Sequence, residues 1–334
     1  MAKYIIKRLL LAVFILFGVS VILYALVRCM PVTIIDSKLA ALSTTGALDP
    51  EIKAQFYAAY GLEEVTTFKG IITGYFTWLG NILQGDLGTS WTSGMEVSDM
   101  IFKNMGVSFG ISFVSLILEL IIAIPLGIKC ACNQYGKLDY VVTVLVMIGI
   151  SFPSFFLGNL LIKWFGVDLG WFDASGGLYS ADLPTDATFW ERLGDMLWHL
   201  VLPMFVLVVL NVGSTIRYMR TNTLEVLSAD YIRTARAKGL SETKVVYKHV
   251  FRNTMIPLVT MLAGTLPGLF GGAMITETVF NLPGIGNIAY SALSAGDIPF
   301  IMGYNMFIAV LTVIGILLSD LAYALVDPRV KLTK

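Results

Sequence analysis

Long apolar runs alternate with polar segments along the chain, and six of these runs are long enough to cross a bilayer. A membrane-spanning helix needs about 20 apolar residues, because every backbone N–H and C=O must be paired within the segment when water is absent. In chain order the runs cover residues 9–27, 106–128, 140–165, 198–216, 256–280 and 300–326. The pattern predicts an all-α polytopic membrane protein with six transmembrane helices.

Composition supports a membrane protein and argues against enzyme chemistry. Of the 334 residues, 56% are hydrophobic and 14% are charged, whereas a soluble domain carries about 25% charged residues. Lys plus Arg and Asp plus Glu both total 23, so no net positive charge is available to hold nucleic acid. The sequence contains no phosphate-binding loop, no nucleophile motif and no metal-ligand spacing. We expect no catalytic residue, metal or other cofactor on this chain.

The basic residues predict the orientation of the chain in the membrane. With both termini in the cytoplasm, sixteen of the 23 Lys and Arg residues fall in the inner segments, as the positive-inside rule requires. The domain organisation that follows is an N-terminal tail with the first helix (1–30), an extracytoplasmic segment (31–103) and a core of five helices (104–334). A second outer segment, 166–197, is acidic and Gly-rich and is expected to be a solvated loop rather than a lid.

The cytoplasmic segment 217–255, called here the coupling segment, has an unusual pattern. Its first 36 residues hold eight basic and three acidic side chains. We expect one short helix over 231–238, capped by Asp230 and ended by Gly239, and a second over 242–252, capped by Ser241. A loop resting on anionic lipid would explain the charge but not the glycine corner between capped helices.

The string Ala-Asp-Tyr-Ile-Arg-Thr-Ala-Arg-Ala-Lys-Gly-Leu-Ser at 229–241, followed by His-Val-Phe-Arg-Asn at 249–253, resembles the coupling loop of ABC importer permeases of the oligopeptide and dipeptide family. Further similar motifs are Gly-Asp-Leu-Gly-Thr-Ser at 85–90, Ser-Phe-Pro-Ser-Phe at 151–155, Glu-Thr-Val-Phe-Asn-Leu-Pro-Gly-Ile-Gly at 277–286 and Asp-Pro-Arg at 327–329. The basic start running into the first helix is similar to the first of the two permease subunits of such systems.

The resemblance implies a type I ABC importer permease fold in the bacterial inner membrane. It also implies partners: a second homologous permease subunit, two ABC ATPase subunits that bind ATP and Mg²⁺, and an extracytoplasmic solute-binding protein. The positions that match the family's ATPase-coupling residues are Tyr231, Arg233, Thr234, Ala235, Arg236, Lys238, Gly239, Leu240, His249, Arg252 and Asn253.

Small and acidic residues within the apolar runs are the candidates for the translocation path. Gly264, Gly268 and Gly272 recur every four residues beside Pro267, which allows close helix packing either within the subunit or across the subunit pair. Glu119 lies mid-helix and either lines a polar path or is satisfied by a hydrogen-bonded partner or in a protonated form. Glu277 is expected to have a gating or structural role.

His199 is expected to be an interfacial side chain rather than a ligand, because no cysteine or carboxylate is expected to join it. His249 is expected to be structural. Neither histidine is assigned any chemistry.

The preferred function is import of short peptides by an ATP-driven transporter of which this chain is one permease subunit. Other solutes of the same family, such as nickel chelates, glutathione or sugars, remain open because the motifs describe coupling rather than cargo. A proton-driven transporter acting alone is the rival from another class, but no paired-carboxylate relay is evident. A membrane-embedded enzyme has the least support.

Overall fold

The structure, a computed structural model, describes residues 2–28 and 68–326, and helices account for most of this backbone. The helices are α1 Ala2–Arg28, α2 Phe68–Leu83, α3 Val97–Cys132, α4 Lys137–Ser151, α5 Ser154–Leu161, α6 Phe189–Ser228, α7 Asp230–Ala237, α8 Glu242–Lys244, α9 Phe251–Gly264, α10 Leu266–Gly271, α11 Met274–Val279, α12 Ile285–Ala295 and α13 Ile298–Val326. Two π-helical stretches, Ile162–Asp168 and Val245–Val250, extend α5 and join α8 to α9. Within the described ranges β structure is limited to one isolated bridge between Thr89 and Glu96.

Four helices in the described part of the chain are long and apolar enough to cross a membrane: Ile6–Leu26, Val97–Cys132, Phe189–Ser228 and Ile298–Leu321. Two bent pairs raise the number to six if each pair is one span. The pairs are Lys137–Ser151 with Ser154–Asp168, and Glu242–Leu262 with Leu266–Val279. All six overlap the apolar runs of the sequence, while the six-span count and the orientation stay predictions.

The third apolar run is broken rather than straight. Its two halves, α4 and α5, meet at an angle of 96°. Phe152 has an extended backbone and Pro153 precedes the first turn of α5. Proline disfavours the helical conformation of the residue before it, so the bend has a local cause in the Ser-Phe-Pro-Ser-Phe motif.

The chain divides into two compact units, and the first comprises Met1–Met105 and Ile288–Val313. In this unit the hydroxyls of Ser20 and Tyr75 lie 2.8 Å apart, linking α1 to α2. The buried Asp297 carboxylate accepts hydrogen bonds from the Ser90 hydroxyl at 2.5 Å and from the Trp91 N–H at 3.1 Å. The Gly-Asp-Leu-Gly-Thr-Ser motif therefore leads into a loop fastened around one carboxylate. Much of α1 is exposed, with Phe14 74% accessible, as expected of a lipid-facing helix.

The second unit comprises Gly106–Asn287 and Ile314–Lys334. One apolar cluster of this unit joins α3, α5, α6 and the turn after α11, through Ile111, Leu157, Val206 and Leu282. A further cluster packs Ile128 of α3 with Met219 and Leu258. These contacts hold α6 and α9 against α3, and they position the two candidate sites described below.

Several expectations lie outside the described residues. They are most of the extracytoplasmic segment, residues 31–67, and the Asp-Pro-Arg motif at 327–329.

Candidate functional site: the coupling segment and a membrane cavity

Helix α6 reaches far beyond the apolar run that predicted it. Its 40 residues span about 60 Å at 1.5 Å per residue, twice the roughly 30 Å of a bilayer core. A capping box starts the helix: the Thr188 hydroxyl accepts the Glu191 N–H and the Glu191 carboxylate accepts the Thr188 N–H. The expectation that 166–197 is a loop was therefore wrong for residues 189–197, and at its other end the helix continues into the coupling segment as far as Ser228.

Helix α7 lies against its own chain through two side chains. Ile232 and Ala235, one turn apart, are buried with Val245 and Val250, and Leu240 packs on the same cluster. The apolar stripe faces the following helix, and the rest of α7 faces outward. The buried position of Ala235 means that its side chain holds α7 in place, so contacts with a partner must come from its exposed neighbours.

A glycine corner ends α7. Gly239 has φ of +75°, its N–H donates to the Arg236 carbonyl at 2.9 Å, and the Leu240 N–H donates to the Ala235 carbonyl at 3.4 Å. This pair of bonds is a Schellman motif, completed by the apolar contact of Leu240. The expected left-handed glycine is confirmed.

The expected side-chain caps were wrong. Ala229 is the N-cap residue of α7, and Asp230 is already the first helical residue. Ser241 occupies the N-cap position of α8 but its side chain makes no capping hydrogen bond there. The second helix also does not end at Arg252, because α8, the π-helical stretch and α9 form one continuous run.

The outward face of α7 is cationic. Tyr231 is 49% exposed, and Arg233, Thr234, Arg236, Lys238 and Gly239 are exposed as well. Arg236 forms a two-pronged ion pair with Glu242, at 2.9 and 3.2 Å, across the glycine corner. Further along, Arg252 is exposed, while His249 and Asn253 are half-buried and the Asn253 amide donates to the His249 carbonyl at 2.6 Å.

An ion pair connects α6 to the start of α4. The Arg220 guanidinium donates to both oxygens of Asp139, each at 2.7 Å, and the Asp139 side chain is 5% exposed. The Tyr135 N–H donates to the same carboxylate at 3.0 Å. Bidentate pairing of this kind fixes both distance and orientation, so α6 and α4 are held together near the start of the coupling segment.

Deeper in the same unit, a cavity of about 260 Å³ opens between α3, α6 and the α9–α10 region. Leucine, alanine, serine, threonine, asparagine, glycine and one glutamate line it, and no Lys, Arg or His is among them. The lining includes Ser112, Ser115 and Glu119 on α3, Asn211 on α6, and Thr265 and Gly268 from the α9–α10 region.

Glu119 supplies the only charge in that lining. The side chain is 8% exposed, and the Thr215 hydroxyl of α6 donates to its carboxylate. The structure therefore gives the Glu119 side chain a hydrogen-bonded partner and places it in the wall of the cavity. Its role in a translocation path stays a prediction.

The glycine series behaves differently along its length. A Cβ built on Gly264 or Gly268 would meet no atom within 4 Å, so these two glycines are not packed within the subunit. Pro267 lies in the first turn of α10, next to the 49° bend between the two halves of the fifth span. Gly272, in contrast, has φ of +77° and crowds against Glu277.

Glu277 is the centre of a buried turn. Its carboxylate is 1% exposed and accepts the N–H groups of Ala273 at 2.9 Å and Asn287 at 3.1 Å. The Ser108 hydroxyl of α3 accepts the neighbouring Ile285 N–H at 2.9 Å. These contacts support the structural alternative for Glu277, because the carboxylate satisfies backbone groups of the turn.

The second outer segment is fastened to α6 by a histidine and two acids. His199 Nε2 lies 3.6 Å from Asp173, and His199 Nδ1 lies 3.8 Å from Asp195 and 2.9 Å from the Asp195 carbonyl. The expectation that no carboxylate joins His199 was wrong, because Asp173 comes from a distant part of the chain. Hydrogen bonds from Ser175 hold the pKa of Asp173 below its ordinary value. The segment is thus anchored rather than merely solvated.

The comparisons with known proteins bear on the helices just described. Residues 123–332 match the family of binding-protein-dependent transport system inner membrane components. The chain belongs to this family.

Related permeases align with this chain over its whole length. It is 37% identical to the oligopeptide transport system permease protein AppB of Bacillus subtilis, over 99% of this chain and 100% of that one. It is 32% identical to the dipeptide transport system permease protein DppB of the same species, over 100% and 99%. Among solved structures, the inward-facing MetNI methionine ABC transporter aligns with a TM-score of 0.50 at 19% identity, over 68% of this chain and 96% of that one.

This chain is therefore a multi-pass permease component of the bacterial inner membrane, with an all-helical ABC importer permease fold. Within its described residues no group of three or more His, Cys, Asp and Glu side chains is arranged to hold a metal ion.

Sequence reasoning missed two features of this permease. The polar lining of the cavity shows in the sequence as a stripe on α3, with Ser112, Ser115 and Glu119 spaced three and four residues apart, the periodicity of one helix face. The Asp139–Arg220 pair had no comparable signal in the sequence, because nothing distinguishes Arg220 from the other basic residues predicted to be cytoplasmic.

Proposed function

We propose that this chain is the permease subunit of an ATP-driven importer of short peptides and forms half of the translocation path. A second homologous permease subunit supplies the other half, and two ABC ATPase subunits bind ATP and Mg²⁺ below them. An extracytoplasmic binding protein delivers the solute. In this arrangement residues 1–30 and 104–334 form the membrane part, 31–103 the outer segment, and 217–255 the ATPase-docking surface.

The observation that carries the proposal is the coupling segment. Helix α7 presents Arg233, Arg236 and Lys238 outward while Ile232 and Ala235 anchor it inward. An exposed cationic helix with a rigid apolar attachment suits docking to a separate protein better than resting on lipid. Lipid binding would need the charges but not the Schellman corner or the Arg236–Glu242 pair.

The connections of α7 give the docking a mechanical consequence. Only Ala229 separates α7 from α6, and the glycine corner connects it to the helical run that enters the membrane as α9. A ligand shifts a conformational equilibrium only by its unequal affinity for two states. ATP binding to docked ATPases can therefore drive this permease only through an element that moves as a body, and the packed α7 corner is such an element.

Peptide cargo is supported by the relatives, which are named as oligopeptide and dipeptide permeases and align along the whole chain. No contact within the coupling segment selects a solute. The other cargoes of the family are therefore distinguished by uptake measurements rather than by this geometry.

Docking can be tested by crosslinking in the assembled transporter. A photo-crosslinking amino acid in place of Arg233 or Thr234, both exposed on α7, should yield an adduct with an ATPase subunit. The same group in place of Ser93, exposed in the first unit, is the control and should not. Adducts with phospholipid alone at both α7 positions would contradict the proposal.

Transport itself is tested in vesicles containing both permease subunits and both ATPases. Uptake of a short peptide should require ATP, Mg²⁺ and the binding protein. Uptake driven by a proton gradient without ATP would support the stand-alone transporter instead.

A further inference from the structure

The cavity beside Glu119 is a polar site without a counter-charge of its own. Glu119 is 8% exposed and Ser115, one turn away on α3, is 7% exposed. Ser115 lines the cavity, and its buried hydroxyl has no hydrogen-bond partner among residues 2–28 and 68–326. A buried hydroxyl left without a partner is costly, so a ligand that entered the cavity and donated to Ser115 would be favoured.

Glu119 also lacks hydrogen-bond donors, and a carboxylate needs them more than a hydroxyl does. An ionised carboxylate within a membrane helix is costly unless it is paired. It can accept hydrogen bonds at about four positions, and the Thr215 hydroxyl provides one. The lining of the cavity contains no Lys, Arg or His, so a cationic partner for the ionised carboxylate has to come from outside that lining.

The accepting groups in the lining fit an ammonium group. Besides Glu119, the hydroxyls of Ser112 and Ser115 and the amide oxygen of Asn211 are acceptors at the cavity wall. The Asn211 amide nitrogen is already committed to the Leu207 carbonyl at 2.8 Å, which leaves its oxygen as an acceptor. An ammonium has three donors and no acceptor, and the cavity offers one charged and several neutral acceptors.

The size and openness of the cavity limit what it can hold. Its volume of about 260 Å³ is below the roughly 300–1,000 Å³ of sites that enclose a whole small molecule. Gly268 in the wall has open space where a side chain would be. The cavity is therefore suited to one end of a longer ligand, with the remainder outside it.

We propose that this cavity is a subsite of the translocation path that binds the protonated α-amino group of the peptide cargo, with Glu119 as its counter-ion. Ser115 and Asn211 accept the remaining ammonium hydrogens, and Thr215 holds the Glu119 carboxylate in position. This inference rests on the proposed function, because it requires a peptide with a free amino terminus to pass through this subunit. The family match begins at residue 123 and so does not include the α3 side of the site.

The test is photolabelling of the solubilised transporter without binding protein, so that the specificity of the binding protein does not enter. The probes are a tripeptide with a diazirine-bearing first residue and a free amino group, and its N-acetylated counterpart. The free amine should label the wild-type permease within 112–119. Glu119→Gln should reduce this labelling about tenfold or more, because a hydrogen bond to a charged group contributes about 1.5–3 kcal/mol. The acetylated peptide should label the wild-type permease weakly. Its labelling should not exceed that of the Glu119→Gln variant by the free amine.

Two variants separate charge recognition from damage to the fold. Glu96→Gln removes one carboxylate from an exposed position outside both candidate sites and should leave labelling unchanged. Ser115→Ala removes the unpartnered hydroxyl with little change in volume and should reduce labelling several-fold, since a neutral hydrogen bond contributes about 1 kcal/mol. Assembly of each variant with its partner subunits is checked by size-exclusion chromatography.

Each result decides the proposal. Equal labelling of wild type and Glu119→Gln, equal labelling by the free and acetylated peptides, or no labelling of wild type would each overturn it. Equal labelling by the free and acetylated peptides is the result expected if a lysine of the second permease, rather than the peptide, is the counter-ion of Glu119. ATP-dependent uptake by wild type without labelling overturns the subsite alone, whereas labelling without ATP-dependent uptake overturns the proposed function.

Discussion

Replacing Gly239 tests whether the corner of the coupling segment transmits force. The residue has φ of +75°, and a Cβ added to it would meet no atom within 4 Å. Any effect of a substitution must therefore come from the backbone conformation rather than from a steric clash. Left-handed backbone costs an L-residue about 1–2 kcal/mol, less for Asn and more for a β-branched residue.

This cost converts into a measurable opening of the corner. A loss of 1–2 kcal/mol raises the open fraction by about 5–30-fold, and hydrogen exchange of the Leu240 N–H, which bonds to the Ala235 carbonyl, should speed up by that factor. Gly239→Asn should show a small effect, Gly239→Ala an intermediate one and Gly239→Val the largest. We expect the Val variant to insert and to hydrolyse ATP while losing uptake per ATP consumed.

The assay pairs hydrogen-exchange mass spectrometry of the coupling segment with peptide uptake and ATP hydrolysis in vesicles. Ala237→Val is the matched control, because it places the same side chain on an exposed helical position of α7. Its cost is the ordinary helix-propensity difference of about 0.5 kcal/mol. Unchanged exchange in the Gly239 series would show that the corner is held by other contacts. Increased exchange with normal uptake per ATP would refute the claim that the corner carries the coupling.

Two further substitutions test the packing that supports both sites. Gly284→Ala would place a Cβ into the Glu277 carboxylate and should lower stability by about 1–3 kcal/mol, seen as a lower melting temperature of the solubilised complex. Gly194→Ala, at an exposed position of α6 with open space at its Cβ, is the control and should melt no lower than wild type. Asp139→Asn leaves Arg220 without its bidentate partner and should lower the free energy of unfolding by about 3 kcal/mol. Arg220→Lys should lower it by less. A wild-type melting temperature for Asp139→Asn would contradict the role assigned to the ion pair.

Features that depend on near neighbours in the chain were predictable. The glycine corner was predictable because glycine tolerates a positive φ. The six apolar runs were recognisable because a chain in lipid must pair its backbone groups within each segment. The bend at Phe152 and Pro153 was equally local, and it was missed because a continuous apolar run was read as one straight helix.

Features that depend on where distant side chains meet were not predictable. His199 finds Asp173, which is 26 positions earlier in the chain, through the path of the second outer segment. The expected Asp230 cap failed for a different reason: a capping side chain needs its own backbone to be extended, and in α7 that conformation falls on Ala229 rather than on Asp230. Ser241 has the extended backbone but makes no capping hydrogen bond, and nothing in the structure explains this.

The coupling segment and the cavity share structural elements, and this gives the proposed transport cycle a specific point of action. Thr215 lies on α6, thirteen residues before the end of that helix, about 20 Å along its axis. Thr265 and Gly268 continue the helical run that starts at the glycine corner. Two of the three walls of the cavity are thus extensions of the segment that we propose the ATPases move. Glu119 lies on the third wall, α3, and its carboxylate is held by the Thr215 hydroxyl of α6. Movement of α6 relative to α3 therefore acts directly on that hydrogen bond, so ATP-driven motion would alter the affinity of the subsite for a cation without a separate relay.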